Sequence, residues 1–279
     1  LNYTPLRRQV ILTGFGAEIL TSSHTNMYAN FSQSFRPVTY SELTPSATTE
    51  IIDPDLKDAK GYNFDIGFRG KIKESVHFDI GGFYVYYDQR IGTVTLNNLP
   101  FKTNIGTSVS KGIESFVEFS PVKLVTDQPA FGNVNLFVSF TYVNATYTKW
   151  NNPALFIDPK KSIQGKKVEN APEIISRVGI NYTIKKFSTS IQWNYVGEVY
   201  TDAVNTELAS GTATTGLIPS YKICDVSASY VLKVNYLIKA GINNLTNQDY
   251  ATRRASGYPG PGLMPGNGRS GYVSFGVKF

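Results

Sequence analysis

The sequence predicts an all-β fold, an antiparallel transmembrane β-barrel wall of about eleven strands, and three observations carry that prediction. From about Gln9 to Phe279, apolar and polar residues alternate at period two in stretch after stretch. Successive strand side chains point to opposite faces, so each stretch has one greasy and one wet side. The connections alternate between very short and very long. No run approaches the roughly eighteen consecutive apolar residues a membrane helix needs, so any spanning falls to strands.

Read in order, period two places strands near 9–20, 25–36, 59–72, 77–96, 103–120, 133–149, 174–184, 187–201, 221–232, 236–250 and 269–279. Alternation is weakest in the first. In the third, Tyr62, Phe64, Ile66, Phe68 and Ile72 oppose Asn63, Asp65, Gly67, Arg69 and Lys71. In the fifth, Val109, Ile113, Val117 and Phe119 oppose Ser110, Gly112, Glu114 and Glu118. The eighth sets Thr189, Ile191, Trp193 and Tyr195 against Ser188, Ser190, Gln192 and Asn194. The last sets Val273, Phe275, Val277 and Phe279 against Ser274, Gly276 and Lys278. These strands are longer than the five or six residues usual in soluble sheets.

The apolar face could meet lipid or a protein core, since a soluble β-sandwich shows the same alternation. Loop lengths separate the two readings. Connections at 21–24, 73–75, 185–186 and 233–235 are tight, while those at 37–58, 151–173, 202–220 and 251–268 are long. Long and short fall on opposite parity, the layout of outer-membrane barrels with tight periplasmic turns and long outside loops. Two connections depart from it: 121–132 is longer at the tight end, and 97–102 is short at the loop end. With the last strand running inward, 236–250 runs outward and 9–20 inward. Eleven is odd, whereas single-chain bacterial barrels close on an even number. An open edge in hydrocarbon leaves backbone groups unsatisfied at several kcal/mol each. About half of a closed wall is therefore expected here.

Composition narrows function. Charged residues make up 17 %, and the 27 Lys and Arg that give a net +6 are scattered through turns and loops, which speaks against a nucleic-acid surface. Anionic lipopolysaccharide or an anionic ligand fits that scatter better. The single cysteine, Cys224, excludes a disulfide framework, and His24 and His77 lie far apart, so no zinc site is expected. The chain starts at Leu1 without a signal peptide, as a mature or excised segment would. No Ser-His-Asp set, HExxH or P-loop is present, and Gly14-Phe15-Gly16 has no following helix to make it a nucleotide fingerprint. Glu114 and Glu118 share a strand face and are expected on a watery lumen or a plug. An enzyme is not expected. Asp53, Asp55 and Asp58 lack the glycine and distal glutamate of a calcium loop and read as a solvated surface segment.

Several segments carry a family resemblance. Met27-Tyr28-Ala29-Asn30-Phe31-Ser32-Gln33-Ser34-Phe35-Arg36-Pro37 resembles a strand exit of TonB-dependent outer-membrane receptors. Gly241-Ile242-Asn243-Asn244-Leu245-Thr246-Asn247-Gln248-Asp249-Tyr250 resembles their penultimate-strand motif, and 268–279 their closing strand with its terminal aromatic. Lys60–Arg69 and Val168-Glu169-Asn170-Ala171-Pro172 also fall where that family has counterparts. Within it, Thr252–Arg269 and Gly197–Asp202 are most similar to ferric dicitrate receptors. The resemblance implies that 1–279 is the C-terminal part of a barrel of roughly 22 strands, in the Gram-negative outer membrane. It implies that the N-terminal plug and TonB box lie outside this segment. It further implies a ferric chelate, iron(III) dicitrate or another siderophore, as transported ligand, with iron as cargo and no cofactor of the protein's own.

The expected ligand site follows from charge and direction. Arg36, Arg253, Arg254 and Arg269 all fall near the outer mouth, where guanidinium forks match the carboxylates of an anionic chelate. Strand-end capping, pairing with acids or contact with lipopolysaccharide phosphate would equally place arginines there. Tyr200, Tyr258 and Gln33 are second candidates, the tyrosines also suiting an interfacial girdle. The Pro/Gly run 257–268 reads as a rigid, helix-free outer loop. Alternatives are a passive porin or adhesin-type barrel, which needs no plug, and a soluble β-sandwich, which needs no detergent.

Overall fold

The protein is described by a computed structural model over residues 9–40, 42–45, 51–96, 99–126, 130–151, 162–233, 235–255 and 261–278. Its strands are β1 (Gly14–Leu20), β2 (Thr25–Arg36), β3 (Ile51–Ile52), β4 (Ala59–Ile72), β5 (Val76–Leu96), β6 (Leu99–Phe119) and β7 (Asn133–Trp150). They continue with β8 (Ile174–Ile184), β9 (Phe187–Val196), β10 (Tyr221–Lys233), β11 (Tyr236–Asn243), β12 (Ala251–Ala255), β13 (Gly262–Pro265) and β14 (Ser270–Val277). One sheet runs β1-β2-β4-β5-β6-β7-β8-β9-β10-β11-β14, every neighbour antiparallel, with β3 added in parallel to β6. These eleven long strands are the eleven that period two predicts.

The differences lie at the ends. β1 begins at Gly14 rather than Gln9. β9 stops at Val196, because Val199 bridges to Ile218 in the following loop instead of continuing along β10. β11 stops at Asn243, because Asn244 turns with a φ of 50° and its side chain ties off the exit. Its amide donates to the carbonyls of Gln248 and Asn267 and accepts from the N–H of Gln248. The motif at 241–250 thus acts locally as a strand terminator. β5 matches its expected span within a residue, while β6 starts at Leu99 rather than near 103, so these two 21-residue strands are separated by only 97–98. The long loop-end connection 251–268 carries the small hairpin β12–β13. The longer tight-end connection contains a 3-10 turn, Pro121–Leu124, tethered where the Ser120 N–H donates to the Ser75 carbonyl.

Register makes the two faces continuous across strands. On one side Met27 faces Phe68 and Phe68 faces Ile80; farther along, Leu136, Ile180, Ile191, Val226 and Ile242 form a single row. On the other side Asn30 faces Asp65, Ser139 faces Arg177, and Gln192 faces Asp225. Among the described residues no second layer covers the apolar rows: Phe64 is 45 % exposed, Trp193 45 % and Phe275 61 %. Each such side chain forgoes about 1.5–3 kcal/mol of burial in water, so this face requires an apolar solvent. The buried apolar clusters sit at the loop end instead, around Ile105, Tyr147 and Ile163 and around Val199, Ile218 and Ala251. The wall is open, with β1 and β14 each paired on one side among the described residues. The sandwich alternative has no counterpart in this single sheet.

The polar face has a second regularity. Tyr28, Phe83, Phe137 and Tyr272 stand directly opposite Gly67, Gly112, Gly179 and Gly241 on the neighbouring strand. In each pair atoms of the aromatic ring stand where a Cβ on the glycine would collide with them. The ring covers backbone that glycine leaves bare, and glycine gives the ring room to lie along a wet wall. Gly179→Val in the intact receptor is expected to destabilise the refolded barrel by about 1–3 kcal/mol through overpacking. Gly211→Ala, in open space, should cost under about 0.5 kcal/mol. Urea unfolding in detergent micelles reads both.

Candidate functional site

The loop end is built as an interlocked rim. Asp53 accepts from the Thr103 hydroxyl at 2.5 Å, while its N–H donates to the Lys102 carbonyl. The buried Asn104 side chain accepts from the Lys57 N–H and donates to the carbonyls of Lys57 and Gln89. These bonds fasten 51–58 to the projecting β5–β6 arm. On the arm's other side, residues 163–168 pair with β7 through Tyr147 N–H to Lys166 carbonyl and Val168 N–H to Ala145 carbonyl.

A charged triad locks that second contact. Gln89 has a φ of 55° at a break in β5–β6 register, and a bulge of this kind re-aims the next side chain. Arg90 reaches Glu169 at 3.1 Å and lies over the Tyr147 ring at 5.9 Å. Tyr147, 1 % exposed, donates its hydroxyl to the other Glu169 oxygen at 2.5 Å. Burial pushes the Glu169 carboxyl upward, but the Arg90 charge and the Tyr147 hydroxyl outweigh it and hold Glu169 below the usual carboxylate range. The rim then runs on to the next loop: Asn205 exchanges two bonds with the Lys167 backbone, and the Asn170 N–H donates to the Tyr200 carbonyl.

The expected site residues separate against this frame. Arg36 pairs with Glu42, whose carboxylate also accepts from the Thr39 N–H, so its charge is spent on folding 36–42. Arg254 donates to the carbonyls of Ala213, Gly216 and Leu217, pinning β12–β13 to the 197–220 loop. Arg253 and Arg269 are exposed, and neither side chain has a hydrogen bond or ion pair among the described residues. Tyr200 is half-buried in the rim and is engaged through its carbonyl. Gln33 lies on the apolar face with Phe31 and Phe35, where its carbonyl accepts from the Thr13 N–H and hydroxyl, a position that suits strand cohesion. Tyr258 lies outside the described residues.

The upper polar wall carries a hydrogen-bonded ladder across β8 to β11. Arg177 Nε donates to Asn194 at 2.6 Å, and the Asn194 amide donates to Asp225 at 3.2 Å. Asp225 also accepts from Gln192 at 3.4 Å and from the Asn244 N–H at 2.9 Å. A groove of 580 Å³ lies over the ladder, with Asn243, Tyr250, Thr252 and Ser270 on its flank. Period two could have put Arg177 on the wet face, since it alternates with Ser176 and Val178. Nothing in the sequence joins Arg90, Tyr147 and Glu169, which lie on two strands and a loop.

The family model described as TonB dependent receptor-like, beta-barrel, matches residues 13–245. The unliganded ferric citrate transporter FecA superposes at a TM-score of 0.75 with 19 % identity, over 96 % of this chain and 38 % of that one. The siderophore receptor PiuA from Acinetobacter baumannii gives 0.68 and 18 %, over 95 % and 35 %. The ferric yersiniabactin uptake receptor FyuA from Yersinia pestis gives 0.69 and 17 %, over 96 % and 37 %. This chain therefore spans less than two-fifths of the length of each, and at these identities the likeness is one of fold.

The triad yields a pH prediction. A depressed folded-state pKa makes the contribution of Glu169 fully present above the unfolded value near about 4.3 and lost as pH falls through the folded value. Amide exchange at Tyr147, Gly165 and Val168 should stay slow at pH 5 and accelerate below about pH 4. In Glu169→Gln that acid step should disappear.

Proposed function

The chain belongs to the TonB-dependent receptor β-barrel family, and we propose that it is the C-terminal part of a receptor that takes up an anionic ferric chelate, iron(III) dicitrate before other siderophores. The family is one of transport receptors rather than enzymes, and its barrels lie in the outer membrane. The match to it disfavours a passive porin or an adhesin. In this reading further strands pair with β1 and β14 to complete the wall. An N-terminal plug fills the lumen and carries the contact with TonB, and iron passes as chelated cargo.

The observation that carries the chelate reading is the division among the arginines. Arg36 and Arg254 are consumed by Glu42 and by backbone carbonyls, whereas Arg253 and Arg269, in the segment that crowns the wall, have no side-chain partner among the described residues. Unpaired guanidinium at a mouth raises the capture rate of an anion and offers flat donor pairs to carboxylate oxygens. The apolar face, with Lys222 over the Tyr195 ring at 5.9 Å, is the side that meets lipid and lipopolysaccharide. Nucleic acid has no part in this reading.

Arg253→Ala with Arg269→Ala in the intact receptor is expected to weaken ferric dicitrate binding by roughly 1.5–3 kcal/mol per lost charge-assisted contact. Arg254→Ala should instead raise protease sensitivity at 210–217. Titration calorimetry with unchanged affinity in the double variant would remove both arginines from the site.

A further inference from the structure

The ladder on the upper wall points to a site of its own. On the polar face, Arg36 pairs with Glu42, and Arg69 bonds to Asn26 and reaches Glu18 at 3.5 Å. Arg177 has no carboxylate within ion-pair distance among the described residues, and its one hydrogen bond leaves through Nε to Asn194. The direction of that bond is set from behind. Asn194 gives its amide N–H to Asp225 and must turn its oxygen to Arg177. Asp225 is itself held by the Gln192 amide and the Asn244 N–H, so its charge is spent on these donors and on orienting Asn194. The outcome is a guanidinium fixed along one edge between its register partners Ser139 and Asn194, with no hydrogen bond at its terminal nitrogens among the described residues.

We propose that the 580 Å³ groove over Arg177 is a carboxylate-binding subsite for an anionic chelate, a proposal that rests on the reading of the chain as part of a ferric-chelate receptor. The groove's volume lies in the range of small-molecule sites, about 300–1,000 Å³. Its upper edge is made by Thr252 and Asn267 of the 244–269 loop, so it lies directly under the mouth. A carboxylate entering there meets the free edge of the Arg177 fork. Hydroxyl and amide groups at Ser270 and Asn243 supply neutral partners for the chelator's remaining oxygens. The subsite selects by charge: a neutral ferric trihydroxamate has no carboxylate to give it.

The test uses the intact receptor and two probes, ferric dicitrate and a neutral ferric trihydroxamate, titrated into wild type, Arg177→Gln, Arg177→Lys and Asn194→Ala. Arg177→Gln should weaken ferric dicitrate by about 10-fold to 100-fold, reduce its salt dependence and leave any trihydroxamate binding unchanged. Arg177→Lys should recover only part of the loss, because lysine keeps the charge without the oriented fork. Asn194→Ala should fall between wild type and Arg177→Gln. Wild-type affinity for ferric dicitrate in Arg177→Gln, or an equal loss for both probes, would overturn the subsite while leaving the receptor reading intact. Failure of the wild-type receptor to bind either probe would overturn the receptor reading and the subsite with it.

Discussion

The structure depends on one constraint: a chain that crosses hydrocarbon must satisfy every backbone N–H and C=O inside the protein, and strands can do so only sideways. Each of the eleven long strands therefore commits its backbone to its neighbours, and only the two faces remain to be assigned. One face has to be oily along its whole length, and the other is free to be wet. The continuous row from Leu136 to Ile242 and the opposing row of Asn, Asp, Ser and Arg side chains are that division written across strands. It leaves little conventional core, and the compact clusters gather at the loop end, where loops pack on loops.

The same constraint explains what the sequence disclosed. Period two is the direct imprint of two solvents on one strand, so the number, order and direction of the long strands were legible. Strand ends were less so, because an end depends on its neighbour. The expected strand runs on to residue 201, past the point where β9 leaves the sheet, and only the Val199–Ile218 bridge shows why. The exit of β11 is decided by how the Asn244 side chain ties off the turn. The aromatic–glycine pairs are invisible in one dimension for the same reason, since each joins two strands through register.

For the site, residue type was informative and role was not. Direction and charge single out four arginines for the mouth. Whether a given arginine faces a ligand or a carbonyl is settled by loop packing that brings residue 254 to residues 213–217. Gln33 could have been placed by its parity with Phe31 and Phe35. Arg177 could have been found by the same parity. The Arg90–Tyr147–Glu169 triad could not, since it is assembled from separate strands and a loop across a bulge at Gln89. Polar networks of this kind rigidify a rim that has little apolar surface to bury. Here they tie 51–58 to β6, 163–168 to β7 and 167–170 to 200–205.

The account stands or falls on which solvent each face touches. Single cysteines at Ser190, Ile191, Gln192, Trp193 and Asn194, in a Cys224→Ser receptor reconstituted in bilayers, can be spin-labelled and probed with oxygen and with a water-soluble nickel complex. Oxygen should dominate relaxation at 191 and 193 and nickel at 190, 192 and 194, switching at every residue. Equal accessibility along the strand, or nickel reaching 191 and 193 as readily as its neighbours, would contradict the account.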